Sequence, residues 1–300
     1  MTDHSPPDSP YLVPFDGDVS VASLPTEPPY ANQAGEVDRK EELKGRLSAV
    51  VSQIAELQRR LYANNHYALL LVFQAMDAAG KDSTIRAVTT GVNPAGFQVF
   101  SFKAPSKEEL DHDFLWRVVR RAPERGRIGI FNRSHYEEML IVRVHPEFLE
   151  GQRIPRLPDL DTLWQERFAS VRDYELHLAR NGTVILKFWL NVSHDEQARR
   201  FLRRLERPDK NWKFEAGDLR ERAHWSAYME AYEDVLAATS RPHAPWYAIP
   251  ADDKPFMRLT IAEIIRDQLL ALHLPYPELD PKERENIDEY RATLEAELAD

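Results

Sequence analysis

The chain has 300 residues, 43% hydrophobic and 29% charged, with 39 Lys and Arg against 49 Asp and Glu, a formal net charge of −10. That supports a sizeable core in one large α/β domain or two small ones, and the acidic total argues against a general nucleic-acid coat protein. The absence of cysteine excludes a disulfide framework, a thiolate metal site and a cysteine nucleophile, and no apolar run approaches the ~20 residues that span a bilayer.

Residues 1–35 form an acidic, Pro-rich tail, and positions 1–33 hold no Lys or Arg. Such a segment cannot build its own core and is expected to run extended, docking through Tyr11, Leu12, Val13 and Phe15. It lacks the basic stretch and apolar run of a secretion signal, so a cytoplasmic location is expected. The Asn-x-Ser/Thr triplets at Asn132, Asn181 and Asn191 are accordingly expected to stay unglycosylated.

A helix is predicted over 36–64, because Leu43, Leu47, Val50, Ile54, Leu57 and Leu61 recur at spacings of three and four. Its stripe can face the domain or a second subunit, and a homo-oligomer is expected. Strands and helices then alternate. The wholly apolar run 67–74 reads as a buried strand, followed by a small-residue loop and a helix. Further strands are predicted at 98–102, 128–132, 183–190 and 246–249. Between them, Ser106-Lys107-Glu108-Glu109 reads as a capping box opening a helix to about Arg121. Other helices are placed over 135–144, 159–180, 193–206, 218–239 and 254–273. A charged C-terminal helical extension occupies 276–300. This alternation predicts a parallel five-stranded sheet with helices on both faces, one domain over 36–275.

The chemistry concentrates at Ala75-Met76-Asp77-Ala78-Ala79-Gly80-Lys81-Asp82-Ser83-Thr84. Strand, small-residue loop, Gly-Lys and helix is the layout of a phosphate-binding loop. Backbone N–H groups of Ala78, Ala79, Gly80, Lys81, Asp82, Ser83 and Thr84 would cradle phosphate at the positive end of the helix, and Lys81 adds a mobile ammonium. The pattern departs from G-x-x-x-x-G-K-[ST]: Ala75 replaces the first Gly, and Asp82 delays the hydroxyls. Asp77 inside an anion cradle makes sense if Mg²⁺ sits between carboxylate and phosphate; it can also orient an attacking phosphate or merely stabilise the turn. Asp82 suits a helix N-terminus. Ser83 and Thr84 can reach phosphate or metal, or satisfy orphan N–H groups.

Asn132-Arg133-Ser134-His135-Tyr136-Glu137 follows a strand, so it emerges at the carboxyl end of the sheet, where ligands bind in such folds. Arg133 can clamp a transferring phosphate, and Asn132 can orient water or coordinate weakly. Glu137, one turn on, would support Arg133 or ligate the metal. His135 reads as a hydrogen-bonded core histidine. Two basic clusters stand out from the acidic background: Arg117 to Arg133, and Arg199 to Lys213. The second, with Arg203, Arg204, Arg207, Lys210 and Lys213 around Pro208 and Trp212, reads as a basic lid that closes on phosphates, although solvated helix faces produce the same charge pattern.

Together these stretches, with Phe102-Lys103-Ala104-Pro105-Ser106 and His112-Asp113-Phe114-Leu115-Trp116-Arg117, resemble the polyphosphate kinase type 2 family over roughly 35–275. The resemblance implies a three-layer P-loop kinase-like fold with a helical lid. It implies Mg²⁺-dependent phosphoryl transfer from inorganic polyphosphate to nucleoside mono- and diphosphates. Asp77 and Lys81 match the family's loop acid and lysine, Arg133 its second-motif arginine, and Arg203, Arg204, Lys210 and Lys213 its lid positions. Ala75 and Ser83 stand where glycines are frequent, and Asn132 where many members carry Asp. The Asn-Arg-Ser-His-Tyr-Glu version resembles the class III branch, which accepts AMP and ADP. Arg117, Arg121 and Arg133 would then line a channel for the polymer, with adenine nucleotides as co-substrates and neither nucleic acid nor membrane as a partner. An ATP-dependent nucleotide kinase and a non-enzymatic nucleotide-binding module are the alternatives.

Overall fold

The computed structural model describes residues 5–30, 36–209, 211–213 and 216–299. Among them the sheet has five strands, all parallel, in the order β2-β3-β1-β4-β5: β1 Ala68–Ala75, β2 Phe97–Ser101, β3 Ile128–Asn132, β4 Thr183–Asn191 and β5 Trp246–Pro250. Every residue of β1 and β4 is buried, as their mostly apolar sequences require of strands covered on both faces. Register sets Phe73 beside Asn132 and Ala75 beside Leu190. The carboxyl ends of β1 and β3 therefore open onto one crevice.

Helices α1 (Glu36–Asn64), α2 (Lys81–Thr89) and α10 (Lys254–Ala271) pack together on one side of the sheet, and α6 (Leu160–Arg180) and α9 (Trp225–Thr239) pack together on the other. The leucine stripe of α1 faces the domain: Leu43, Val50, Ile54, Leu57 and Leu61 are buried, and α1 lies along α10. Asp159 caps α6 by accepting from Thr162 N at 3.0 Å, and Gly182, at φ +88°, carries the chain from α6 into β4. No helix of the described residues is long and apolar enough to cross a membrane.

Three predicted helices are broken. The stretch 106–121 forms two short pieces, α3 (Lys107–Leu110) and α4 (Trp116–Val119). The capping box at Ser106 and Glu109 forms, but the Asp113 carboxylate accepts from Leu115 N at 2.9 Å and starts a new turn. The stretch 135–144 divides into a 3-10 turn, His135–Met139, and α5 (Ile141–Val144), separated at Leu140 by a non-helical φ of −111° and ψ of −86°. The predicted helix 218–239 breaks at His224 into α8 (Ala216–Ala223) and α9. Helix α7 (His194–Leu205) is capped by Ser193, as its sequence signals. Short α11 (Pro281–Glu285) and α12 (Ile287–Ala299) end the chain, with no buried residue in either.

Residues 5–30 run largely extended along the body. Leu12 forms an antiparallel bridge with Tyr247 of β5, Val13 N donates to Trp246 O at 2.9 Å and Ala248 N to Tyr11 O at 2.8 Å. Val13 is buried, while Tyr11, Leu12 and Phe15 are half-buried.

Beneath the second motif lies a sealed polar centre. The ammonium of Lys187, fully buried on β4, donates to Glu175 Oε2 at 2.7 Å, Tyr136 Oη at 2.8 Å and Thr239 O at 2.8 Å. Three acceptors match the three N–H donors of an ammonium. Burial lowers its pKa to about 8 against the pull of Glu175. His135 is buried as expected, but its ring lies 3.7 Å from Glu175, too far for a hydrogen bond.

Candidate active site

The loop between β1 and α2 is held from behind by α7. Gln197 Nε2 donates to Asp77 O at 2.9 Å, and one guanidinium nitrogen of Arg200 donates to Ala78 O at 3.2 Å and to Ala79 O. Its other nitrogen reaches Asp252 O at 3.0 Å and Ala251 O. Gln197 and Arg200 are buried. Three consecutive carbonyls thus turn toward α7. The backbone accommodates this with a positive φ at Ala78 (+61°) and at Gly80 (+111°); the former costs a non-glycine residue on the order of 1–2 kcal/mol. Gly80 caps α2 without a side-chain hydrogen bond, so the N–H groups of the first helical turn are left for a ligand.

At the mouth of this cradle Arg133 donates to Asp77 Oδ1 at 3.0 Å, with both side chains part-exposed. Arg133 also has a positive φ (+63°), and its N–H donates to Phe73 O at 3.1 Å, tying the second motif to β1. A strained residue fixed in this way at a crevice makes Arg133 a candidate functional position. Glu137 and then Asp77 raise the Arg133 pKa, so it stays cationic. Lys81 donates back to Ala75 O at 3.1 Å. Burial and the neighbouring Arg133 push its pKa down, opposed by Asp77, Glu137 and Asp82. Tyr232 forms a buried neutral neighbour, its pKa raised by burial and by Glu137 and Asp77. The crevice therefore gathers Asp77, Lys81, Arg133 and Glu137.

Asn132 donates to Asp82 Oδ1 at 2.7 Å and to Ser101 Oγ at 3.3 Å, bracing β3 against α2 and β2. An aspartate at 132 would set two carboxylates against each other there. Ser83 donates to Gly80 O at 2.9 Å, while the buried Thr84 hydroxyl finds no partner among the described residues. Arg117 donates to Lys103 O at 2.8 Å, pairs with Glu109 at 3.2 Å and lies 5.3 Å from the Phe102 ring. Arg121 lies 5.2 Å from the Phe100 ring. Both flank β2 rather than the phosphate loop.

In the segment predicted as a lid, Arg203 pairs with Glu196, Arg204 with Asp218 at 3.4 Å and Arg207 with Asp209 at 3.0 Å. Lys210 and the side chain of Lys213 lie outside the described residues. Helix α8 docks on the body through Glu221, which meets His145 Nε2 at 2.9 Å and accepts from Tyr228 Oη at 2.7 Å.

Three side chains, Gln197, Lys254 and Arg258, are not singled out by the sequence, and a fourth, Arg200, enters there only as one of a basic cluster. Gln197 and Arg200 share the buried face of α7 at i and i+3, but Arg200 is submerged in a basic run. Lys254 and Arg258 open α10. The Lys254 side chain lies 3.6 Å from where a Cβ on Gly80 would stand. Burial and its neighbours Arg200, Arg203 and Arg258 lower its pKa to about 8, against Glu196. Arg258 has Arg86 and Arg200 as charged neighbours, and its buried Nε has no partner among the described residues.

Comparison with known proteins agrees with this geometry. Residues 37–275 match the family model for polyphosphate kinase 2. The chain is 51% identical over 258 residues to an ADP-polyphosphate phosphotransferase of Rhodopseudomonas palustris, covering 86% of this chain and 89% of that protein. It is 44% identical over 232 residues to an AMP/ADP-polyphosphate phosphotransferase of Meiothermus ruber, covering 77% and 83%. The crystal structure of polyphosphate kinase 2 from Arthrobacter aurescens superposes with a TM-score of 0.80 at 38% identity, over 91% of this chain and 93% of that one. A cradle built on β1 and α2, an Asp–Arg pair at its mouth and a match spanning the whole sheet lead to one conclusion: the chain belongs to the polyphosphate kinase 2 family.

Proposed function

We propose that the protein transfers phosphoryl groups from inorganic polyphosphate to AMP and ADP, with Mg²⁺ as cofactor. The observation that carries this reading is a cationic track beside the cradle: Lys254 reaches Gly80 and has Arg200, Arg203 and Arg258 as neighbours against one acid, Glu196, while Arg258 has Arg86 and Arg200, a placement that favours a polyanion. A terminal phosphate seated on the N–H groups of α2 and on Lys81 would trail its polymer along this track, and Arg117 and Arg121 would extend the basic lining near β2. An acceptor phosphate oxygen forms a bond to the terminal phosphorus as the bond to the next bridging oxygen breaks, shortening the polymer by one unit. Lys81 and Arg133 neutralise the charge on the transferring group, and Asp77 and Glu137 fix Arg133 in place.

Among the described residues no three metal-ligating side chains converge. A part-exposed Asp77 suits a hard cation that draws its remaining ligands from phosphate and water. Asp77 would hold Mg²⁺, which when bound supplies charge neutralisation between donor and acceptor phosphates. Arg203, Arg204, Arg207, Lys210 and Lys213 complete the enclosure as lid cations. The net charge of −10 disfavours nucleic acid, and a cytoplasmic homo-oligomer remains part of the proposal. The domain division at 35 and 275 belongs to it too, the catalytic unit being the family-matched span.

Incubating the purified protein with polyphosphate, AMP and Mg²⁺, without ATP, tests the reading: ADP and then ATP accumulate, and chelation stops them. Unchanged nucleotides would sink it, and turnover that requires ATP as donor would favour an ordinary nucleotide kinase.

A further inference from the structure

Helix α8 touches the catalytic loop through a single buried amide. Arg222, on α8, donates to Gln197 Oε1 at 2.8 Å and to His194 O at 2.7 Å. The same Gln197 amide donates through Nε2 to Asp77 O at 2.9 Å. These two bonds fix the amide's orientation, since its oxygen faces a guanidinium and its nitrogen a carbonyl. The carbonyl it holds precedes Ala78, whose φ of +61° is the strained step of the cradle. Arg200 restrains the next two carbonyls from α7 itself and makes no contact of this kind with α8. The Asp77–Ala78 peptide is therefore the one loop peptide whose restraint extends, bond by bond, to the lid helix among the described residues.

We infer that Gln197 is a positioning residue that couples docking of α8, through Arg222, to the orientation of the Asp77 peptide, so that the loop reaches its catalytic geometry only when the lid helix is seated. The inference rests on the phosphotransferase reading for its kinetic consequence, though not for its structural one. With α8 displaced, Gln197 loses the partner that orders its oxygen, and its hold on Asp77 O weakens. Asp77 then moves relative to Arg133 and Lys81, and transfer slows while phosphate seating on the helix N-terminus persists.

Two variants and their combination test the coupling. Gln197→Met keeps the side-chain length and removes both amide bonds; Arg222→Met spares the bond to Asp77 O and removes the lid bond together with that to His194 O. Each is expected to lower kcat about tenfold, with the nucleotide KM within about twofold and the melting temperature nearly unchanged. The double variant is expected to be no slower than Gln197→Met, because the two residues act in series. Gln197→Glu keeps the acceptor for Arg222 but sets an oxygen against Asp77 O, and is expected to be as slow as Gln197→Met. Independently of activity, amide hydrogen exchange at 78–80 should accelerate in Arg222→Met, although the substitution lies on α8. Multiplicative losses in the double variant, or loop exchange unmoved by Arg222→Met, overturns the inference. A wild-type protein inactive with polyphosphate sinks the functional reading instead, and the exchange measurement still judges the coupling.

Discussion

The molecule holds two ion-paired centres that meet at the second motif, and they are built in opposite ways. Lys187 and Glu175 are sealed, with side-chain exposures of 0% and 2%, and each ammonium proton has an acceptor. Arg133 and Asp77 are open, at 39% and 33%, and joined by one hydrogen bond. Tyr136, in the sealed centre, is only three residues from Arg133, in the open one. A charge that holds the fold is thus distinguished from one left open to a ligand. Saturated donors hold a fold together, whereas a cation with donors to spare, on a strained backbone at a crevice, is poised to exchange its partner for a ligand.

The strongest way to break this contrast is to unpair the sealed centre. Lys187→Met leaves Glu175 buried without its cation and should cost about 3–5 kcal/mol of stability, measured by chemical denaturation. Adding Glu175→Gln should recover much of that loss. A Lys187→Met protein as stable as the parent would refute the structural role. The open centre should respond in reverse. Lys81→Ala should cost about 3–4 kcal/mol of barrier, or several hundredfold in kcat, while the unfolding midpoint barely moves. Collapse of the fold instead would make Lys81 structural.

A smaller effect sharpens the point. Arg133→Lys keeps the charge but loses the planar fork, and should cost about 1.5–3 kcal/mol in kcat/KM; activity equal to the parent would show that only charge matters. The mildest test is by pH. Lys254 has its pKa lowered to about 8 by burial and by Arg200, Arg203 and Arg258. In the free protein it is cationic below that pH and neutral above it, so kcat/KM for polyphosphate should fall as pH rises through about 8. Lys254→Arg should abolish this limb, and a limb of identical position in that variant would exclude Lys254 as its source.

The sheet was legible because β1, β3 and β4 are short, mostly apolar stretches with Gly or Asn at their ends, and the cradle because Gly80 and Lys81 stand between strand and helix. The motif around Arg133 was legible for the same reason, as a strand exit. Local chemistry hid the helix breaks: Asp113 recaptures a backbone N–H inside an otherwise helical pattern. The supports of the loop were not legible at all. Gln197 and Arg200 meet it across about 120 residues of chain, and nothing in a helix's own periodicity says which distant carbonyl it will meet. The track residues Lys254 and Arg258 open a helix whose remaining face is apolar, so they read as ordinary solvated charges.

The N-terminal segment has a consequence for assembly. By laying Leu12 and Val13 against Tyr247 and Trp246, the chain occupies the outer rim of β5 with its own backbone and leaves that side of the sheet unable to recruit a strand from elsewhere. Deleting residues 5–30 would bare the apolar outer edge of β5 and leave Ala248 N and Trp246 O without their partners, an opening for edge-to-edge association. This proline-rich segment thus closes an edge that the sheet's own strands leave open.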